Sequence, residues 1–335
     1  MQTILKKVPE LSLLIGLSII AYFIMGAFNQ LEGAGALGGG AAFMLVLSSF
    51  ILSTLIAIIA VIAGVGGGVL FTPIMMAFTS IDTLIIRSTG LVVAMFSGLV
   101  SSGPFMRKGL ADVKIVFYCA IPIILGGMLG SYAAIALSEV MGPEGDAIVR
   151  LLLGIILVFI AALFVVGGSN TEYPEVKKVS SFSEWVNLKG AYFEESLGRV
   201  MPYQATRAGI GGMLFLLVGF TGGFFGLGGG WAVVPVLNLV MTTPLKISAA
   251  CSGVLLAMGN SAAIWPYITA GALITMLAAP WMLGQVIGGI MGAHILARVK
   301  ANFIRYVLIV LLFLTSIKLM ARGLETLLGI EIPVL

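Results

Sequence analysis

Charged and histidine side chains are scarce in this sequence. Asp, Glu, Lys and Arg make up 10% of its 335 residues, whereas soluble domains contain about 25%. It has one histidine, His294, and its two cysteines, Cys119 and Cys251, stand too far apart for a CxxC or metal-ligand spacing. No HExxH sequence occurs, and no Walker lysine follows its glycine triplets. These absences argue against a soluble protein, an enzyme and a nucleotide-binding protein, and we expect no cofactor.

Apolar sequence, in contrast, is abundant. Hydrophobic residues make up 60% of the chain, and runs of about 20 residues, the length that spans a bilayer, recur along it. These runs are 41–64, 84–103, 113–137, 147–168 and 303–320. They are apolar all round, whereas the helices of a soluble core carry a polar face. The fold class predicted is an all-α polytopic membrane protein.

A further apolar run, 9–28, precedes these five and follows Lys6 and Lys7. A signal peptide is one interpretation, since small residues follow at 33–40. Its apolar core is longer than the roughly 7–15 residues of a signal peptide. We therefore favour an extra, uncleaved N-terminal span.

Two parts of the chain carry the same motifs in the same order. AGVGGGVLFTP at 63–73 parallels FGLGGGWAVVP at 225–235, and in both a proline stands five residues beyond the glycine triplet. Further matches pair 88–95 with 251–258 and 125–131 with 287–293. Collinear matches of this kind indicate a duplication. Each repeat is predicted to hold about five helical segments, with a helix broken at its GxGGG motif.

Basic loops give the predicted orientation, because cytoplasmic loops are enriched in Lys and Arg. With Lys6 and Lys7 inside, Arg107 and Lys108 also fall inside if the short segment after each triplet completes a crossing. Five crossings per repeat then turn the second repeat upside down and put the C-terminus outside. Inverted repeats are a common plan of secondary transporters, whose substrate sites lie near the midplane between the repeats.

These patterns divide the chain into five parts. They are an N-terminal span and glycine-rich connection at 1–40, transmembrane repeat 1 at 41–168, a cytoplasmic polar insert at 169–206, transmembrane repeat 2 at 207–322 and a short tail at 323–335. The insert mixes acidic and basic residues and includes an amphipathic stretch at 183–200. The insert has two possible interpretations. It is either a linker lying on the membrane surface or a regulatory or partner-docking element.

The two glycine motifs resemble those of the TauE/SafE family of sulfite-exporter-like membrane proteins. The resemblance rests on the paired GxGGG…P signatures, on KGLAD at 108–112 and on GGMLG at 126–130, and it covers about 41–320. The second repeat departs from it, with GAL at 271–273 and no aspartate, and the insert is longer than expected. The resemblance implies alternating-access export of sulfite, sulfoacetate or related organosulfonates and organic anions across the bacterial inner membrane. An anion channel and a non-transporting scaffold that docks partners through the insert are the alternatives.

The glycine triplets are the first candidate binding elements. Three glycines unwind a helix at little cost, and the N–H groups at the start of the next helix, together with its dipole, attract anions. The residues concerned are Gly66, Gly67, Gly68, Gly228, Gly229 and Gly230. The alternative is that they only permit close helix packing. Pro73, Pro235 and the intramembrane Gln285 are assigned structural or gating roles.

Arg87 is the second candidate, because an ionisable group within a span is costly. A guanidinium binds an oxyanion through two parallel hydrogen bonds. Its neighbours Ser88 and Thr89, the duplicated positions Cys251 and Ser252, and the amide of Asn260 complete the predicted substrate-binding set. The alternatives for Arg87 are snorkelling to the interface and a structural pair with Asp82.

No carboxylate is predicted at mid-membrane, and anion export need not have one. Each negative charge gains about 2.3 kcal/mol per 100 mV on leaving a cell whose interior is negative. A uniporter is physically adequate, and coupling to H⁺ or Na⁺ stays open. The expected partners are a small anion and membrane lipid, with a homo-oligomer left open. The net charge of +4 is scattered through loops, and we expect no binding of nucleic acid.

Overall fold

The computed structural model describes residues 39–63, 66–107, 109–166, 174, 179–194, 198–296 and 301–329. The predicted first span at 9–28 lies outside these residues. The long helices are α1 (Gly39–Ala63), α2 (Gly68–Phe78), α3 (Thr83–Arg107), α4 (Val113–Val166), α6 (Ala208–Phe225), α8 (Leu245–Thr269), α9 (Thr275–Leu296) and α10 (Ala301–Leu328). Between them lie a short α5 (Ser181–Val186), strands β1 (Lys189–Glu194) and β2 (Arg199–Gln204), and α7 (Val233–Pro235), which continues as a π-helix at Val236–Val240.

Six of the described helices are long and apolar enough to cross a membrane. One of them, α4, has 54 residues and is broken at Gly142, where φ is 53° and ψ is −129°. A helix of this length extends about 80 Å, more than twice the hydrocarbon core of a bilayer. Its two arms therefore correspond to the two predicted runs 113–137 and 147–168, joined by a bend rather than a loop. The prediction of an all-α polytopic membrane protein is confirmed.

Helices of the first repeat pack mainly against helices of the second. The pairs are α1 with α9, α3 with α8, the first arm of α4 with α6, and its second arm with α10. Glycines allow the close approach: a Cβ on Gly126 would lie 2.0 Å from the Leu216 oxygen, and one on Gly288 would lie 2.3 Å from the Thr54 oxygen. Cross-packing of this kind is what two related halves would give, and the inversion of the second half stays a prediction.

The described part of the insert forms a short helix and a hairpin, which the sequence did not predict. Asn187 adopts a left-handed conformation and ends α5, and the chain then forms an antiparallel hairpin in which Lys189 pairs with Gln204 and Glu194 with Arg199. Burial in β1 alternates, with Tyr192 buried and Phe193 exposed, which is the two-residue period of a strand. The predicted amphipathic stretch at 183–200 is thus divided between α5 and the hairpin, and in β1 one face is buried and the other exposed.

The hairpin is fixed to the ends of two membrane helices. The Tyr203 hydroxyl donates to the carboxylate of Asp112, immediately before α4. The Lys246 ammonium, near the start of α8, lies 2.5 Å from the carboxylate of the buried Glu194. Burial and the hydrogen bond to Asp112 raise the pKa of Tyr203. The insert thereby connects the first repeat to the second at one end of the bundle.

Candidate functional site

The two broken helices meet inside the protein. We call their contact, formed by Gly66–Gly68 and Gly226–Gly230, the glycine crossing; all of these residues are buried. A Cβ on Gly230 would lie 2.7 Å from the Gly66 nitrogen. The hydroxyl of Thr72, in α2, donates to the Gly226 carbonyl over 2.7 Å. The predicted candidate elements of both repeats are thus brought into direct contact.

Two glycines of the second motif are required by the backbone itself. Gly226 and Gly228 have φ of 69° and 66°, a left-handed conformation that is costly for residues with a Cβ. A Cβ on Gly226 would lie 2.4 Å from the Arg87 Cα, and one on Gly228 would lie 2.6 Å from the Ala94 Cβ. Conformation and space therefore both exclude a side chain here.

Helix α2 is oriented with its N-terminus at the glycine crossing. Its other end is capped by the Arg322 guanidinium, whose Nη1 donates to the carbonyls of Thr79 over 2.8 Å and Met76 over 3.3 Å. A cation at the C-terminus complements the helix dipole. The positive end of the dipole lies at the crossing, where the Gly67 nitrogen donates to the Ser97 hydroxyl over 3.1 Å.

Gln285 faces the first motif with an unused acceptor. Its Nε2 donates to the Ser53 carbonyl over 3.3 Å, and a carbonyl can only accept, which identifies the nitrogen end of this amide. A Cβ on Gly67 would lie 2.3 Å from the other end, Oε1. This oxygen is buried and has no hydrogen-bond partner among the described residues.

Asn260 stands beside the second motif with an unused donor. Its side chain is 4% exposed, and its Nδ2 has no hydrogen-bond partner within the described part of the chain. It lines a cavity of about 10 Å³ together with Ile123, Gly127, Gly222 and Gly229. That volume holds about one water molecule. A ligand of several heavy atoms therefore does not fit in this cavity unless the helices separate.

Arg87 lies apart from this cavity and is fully buried. Its Nη2 donates to the Thr83 hydroxyl over 2.7 Å and to the Asp146 carboxylate over 3.2 Å. Asp82 instead accepts from the Leu84 nitrogen over 2.8 Å at the start of α3. Both alternatives for Arg87, snorkelling and a pair with Asp82, are therefore wrong. The carboxylate in α4 that does pair with it was not predicted, because nothing in the sequence indicates which helix faces Arg87.

The remaining predicted donors do not reach the cavity. The hydroxyls of Ser88 and Thr89 donate to the Ile85 carbonyl over 2.9 and 2.8 Å. The Cys251 thiol contacts the Asp112 carbonyl over 3.8 Å, beneath the hairpin. Ser252 is buried on α8, one turn before the cavity-lining Leu256.

Several residues near the glycine crossing were not predicted for the site from the sequence. Ser97 was missed although it occupies the position in its repeat that Asn260 occupies in the other. Neither Trp265 nor Tyr267, both near the end of α8, is among the predicted site residues. Trp265 is exposed, but Tyr267 is buried and donates to the Gly223 carbonyl over 2.9 Å. Pro73 is buried within α2, and Pro235 precedes the π-helical turn, a feature frequent at functional sites.

Comparison with known proteins identifies similar sequences. The model of the family described as sulfite exporter TauE/SafE matches residues 48–319. The probable membrane transporter protein YunE of Bacillus subtilis (strain 168) is 23% identical over 267 residues, which cover 78% of this chain and 92% of that protein. No solved structure matches.

Proposed function

The chain belongs to the sulfite exporter TauE/SafE family of membrane transporters, and we propose that it exports small sulfur-containing anions by alternating access. The substrates proposed are sulfite, sulfoacetate and related organosulfonates or organic anions, and the membrane proposed is the bacterial plasma membrane. The anion is held at the glycine crossing, on the side of Asn260.

One observation carries this proposal: two broken helices meet beside a buried donor, Asn260 Nδ2, that has no partner among the described residues. Leaving a buried polar group unpaired costs about 1–3 kcal/mol, and an oxyanion bound there would recover that cost. The start of α2 adds the positive end of a helix dipole. Irregular backbone within a membrane is tolerated where it is enclosed by protein or lines a cavity, and the crossing meets this condition.

The small size of the cavity supports a carrier rather than a pore. An open channel would have a continuous passage, whereas the space next to Asn260 is about 10 Å³. In the proposed cycle the helices of the two repeats separate on one side, admit the anion, and then separate on the other. The membrane potential drives export, since each negative charge gains about 2.3 kcal/mol per 100 mV on leaving.

Anion flux from proteoliposomes tests the proposal. Flux of sulfite, sulfoacetate, taurine and sulfate through the purified protein is measured under an imposed potential. The same fluxes are measured for Asn260→Ala and for the control Ser261→Ala. Ser261 is the exposed neighbour of Asn260 on the same helix. We expect saturable flux of one sulfur oxyanion. At low substrate Asn260→Ala should slow it about ten-fold or more, the effect of losing one hydrogen bond to a charged group, and Ser261→Ala should leave it unchanged.

Two results would contradict the proposal. Absence of flux for every sulfur anion tested would remove the substrate class. Non-saturating flux without counterflow would replace the carrier with a channel.

A further inference from the structure

We propose that the Arg87 guanidinium is a second anion-binding position, between the glycine crossing and a cleft at the bend of α4. When no substrate is bound, the Asp146 carboxylate pairs with this guanidinium. This inference rests on the proposed function and adds a route to it. The ligand class is the same small sulfur oxyanion. On its way between the crossing and the cleft, the anion displaces the Asp146 carboxylate from the guanidinium.

The first observation is that the guanidinium of Arg87 is only partly used. The hydrogen bonds from Arg87 to Thr83, Ser138 and Asp146 are each made by Nη2. Its Nε and Nη1 are buried and have no partner among the described residues. A guanidinium binds an oxyanion through two adjacent nitrogens, and each such edge of Arg87 has one nitrogen free. A structural ion pair in a protein interior is stable when its remaining donors are satisfied, and these are not.

The second observation is the position of Asp146 at the edge of a cleft. Its side chain is 23% exposed, whereas that of Arg87 is 0% exposed. The cleft has a volume of about 470 Å³ and is lined by Asp82, Ser138, Glu139, Gly142, Asp146 and Arg150. Asp146 lies four residues after the break at Gly142. The carboxylate can therefore turn from Arg87 into the cleft without crossing an apolar layer.

The third observation is a series of polar groups that leads inward from Arg87. Gly226 lies against the Arg87 backbone, since a Cβ there would be 2.4 Å from the Arg87 Cα. One turn earlier, the Gly223 carbonyl accepts from the Tyr267 hydroxyl over 2.9 Å, and a Cβ on Gly223 would lie 2.9 Å from the Ser131 hydroxyl oxygen. The Ser131 hydroxyl donates to the Ala263 carbonyl over 2.7 Å. Ala263 lines the inner cavity together with Asn260. Polar groups thus extend from the cleft to the proposed binding position.

The arrangement gives Asp146 a specific role in release. A buried guanidinium with no counter-charge would retain an oxyanion, and transport requires binding that is weak enough for the ligand to leave. Because the carboxylate competes for the same nitrogens, it lowers the affinity of Arg87 for substrate and helps to expel it. Removing its charge should therefore strengthen binding and slow release.

Transport kinetics of the full-length protein in proteoliposomes test this role, with sulfite as the probe and sulfoacetate as the second anion. We expect Asp146→Asn to lower the KM about three-fold to ten-fold and to lower the maximal rate. Arg87→Gln should raise the KM at least ten-fold. The double variant Arg87→Gln/Asp146→Asn should fold, as judged by its Tm, and still transport poorly. The control Glu194→Gln neutralises a buried carboxylate paired with Lys246 beneath the hairpin, and its KM should equal that of the wild type.

If Asp146→Asn fails to fold, Thr83→Val serves instead. It removes a hydroxyl that contacts both Arg87 and Asp146 without changing a charge, and we expect the KM to fall about two-fold. An unchanged KM in the folded Asp146 or Thr83 variant, or normal transport by the double variant, would overturn the inference and leave the pair a structural one. A wild-type protein that moves no sulfur anion would instead overturn the proposed function.

Discussion

The two sides of the glycine crossing occupy equivalent positions in the duplicated sequence but differ in chemistry. Gly67 is faced by Gln285, and its nitrogen is bonded to Ser97. Gly229 lies against Ile123, whose Cδ1 would be 3.4 Å from a Cβ there, and Asn260 stands beside Gly228. Among the described residues, one side therefore has an acceptor without a partner, and the other has a donor without a partner next to apolar side chains. The two motifs thus share a close backbone approach and differ in the side chains around it.

The same divergence appears at the loops. Asp112 in the first repeat anchors the hairpin through Tyr203, whereas the corresponding loop of the second repeat has GAL at 271–273 and no aspartate. The carboxylate of Asp112 thus supplies one of the two side-chain contacts that fix the hairpin, and Lys246 of α8 supplies the other. The difference in side chains at the glycine crossing and the difference in carboxylates at the loops involve separate residues. Different variants therefore test each of them.

The largest effect is expected from placing a methyl group at matched positions of the two motifs. Gly228→Ala puts a Cβ at a φ of 66° and 2.6 Å from the Ala94 Cβ, so strain and overpacking together should cost about 2–5 kcal/mol. Gly66→Ala meets its nearest atom at 3.6 Å and should cost less than about 1 kcal/mol. Thermal unfolding in detergent measures both. Equal losses would show that the two motifs are not structurally distinct.

An intermediate effect is expected at the hairpin. Tyr203→Phe removes one hydrogen bond to a carboxylate, which should cost about 1.5–3 kcal/mol. Because the pKa of Tyr203 is raised in the folded state, the folded protein holds this proton more tightly than the unfolded chain does. Wild-type stability should therefore fall as pH rises above about 10, the unfolded tyrosine value, and the variant should lose less over that range. Unfolding curves between pH 8 and 11 compare the two, and parallel curves would contradict the assignment.

The smallest effect is expected from making the first side of the crossing resemble the second. Gln285→Ile copies Ile123 and removes both the unpaired oxygen and the amide that bonds to Ser53. The Ser53 hydroxyl keeps its hydrogen bond to the Trp281 carbonyl without the amide, and removing the unpaired oxygen offsets the lost amide bond, so stability should change by less than about 1 kcal/mol. If the anion lies on the Asn260 side, the KM for sulfite should change less than about two-fold. A KM change as large as that of Asn260→Ala would place substrate on both sides.

Much of the helical framework was predictable, and the insert was not. The predicted run 84–103 lies within α3, at Thr83–Arg107, and the predicted break at 66–68 separates α1 from α2, because apolar length and glycine act locally. The stretch at 183–200 was interpreted as amphipathic from its mixture of aromatic and charged residues. Its alternation of buried and exposed side chains follows from pairing with β2, a contact that single-segment periodicity does not reveal.

Local sequence is sufficient to predict that this protein lies in a membrane, that its helices are broken at two related glycine motifs, and that those motifs are candidates for binding. These properties depend on local composition: apolar length, glycine content and repeated order. Only the tertiary structure decided that Arg87 pairs with Asp146, that Asn260 and Gln285 flank opposite sides of the crossing, and that Ser88, Thr89 and Cys251 lie elsewhere. Helices that are apolar all round carry little record of which face meets which neighbour, so the partners of their few polar groups are fixed by packing.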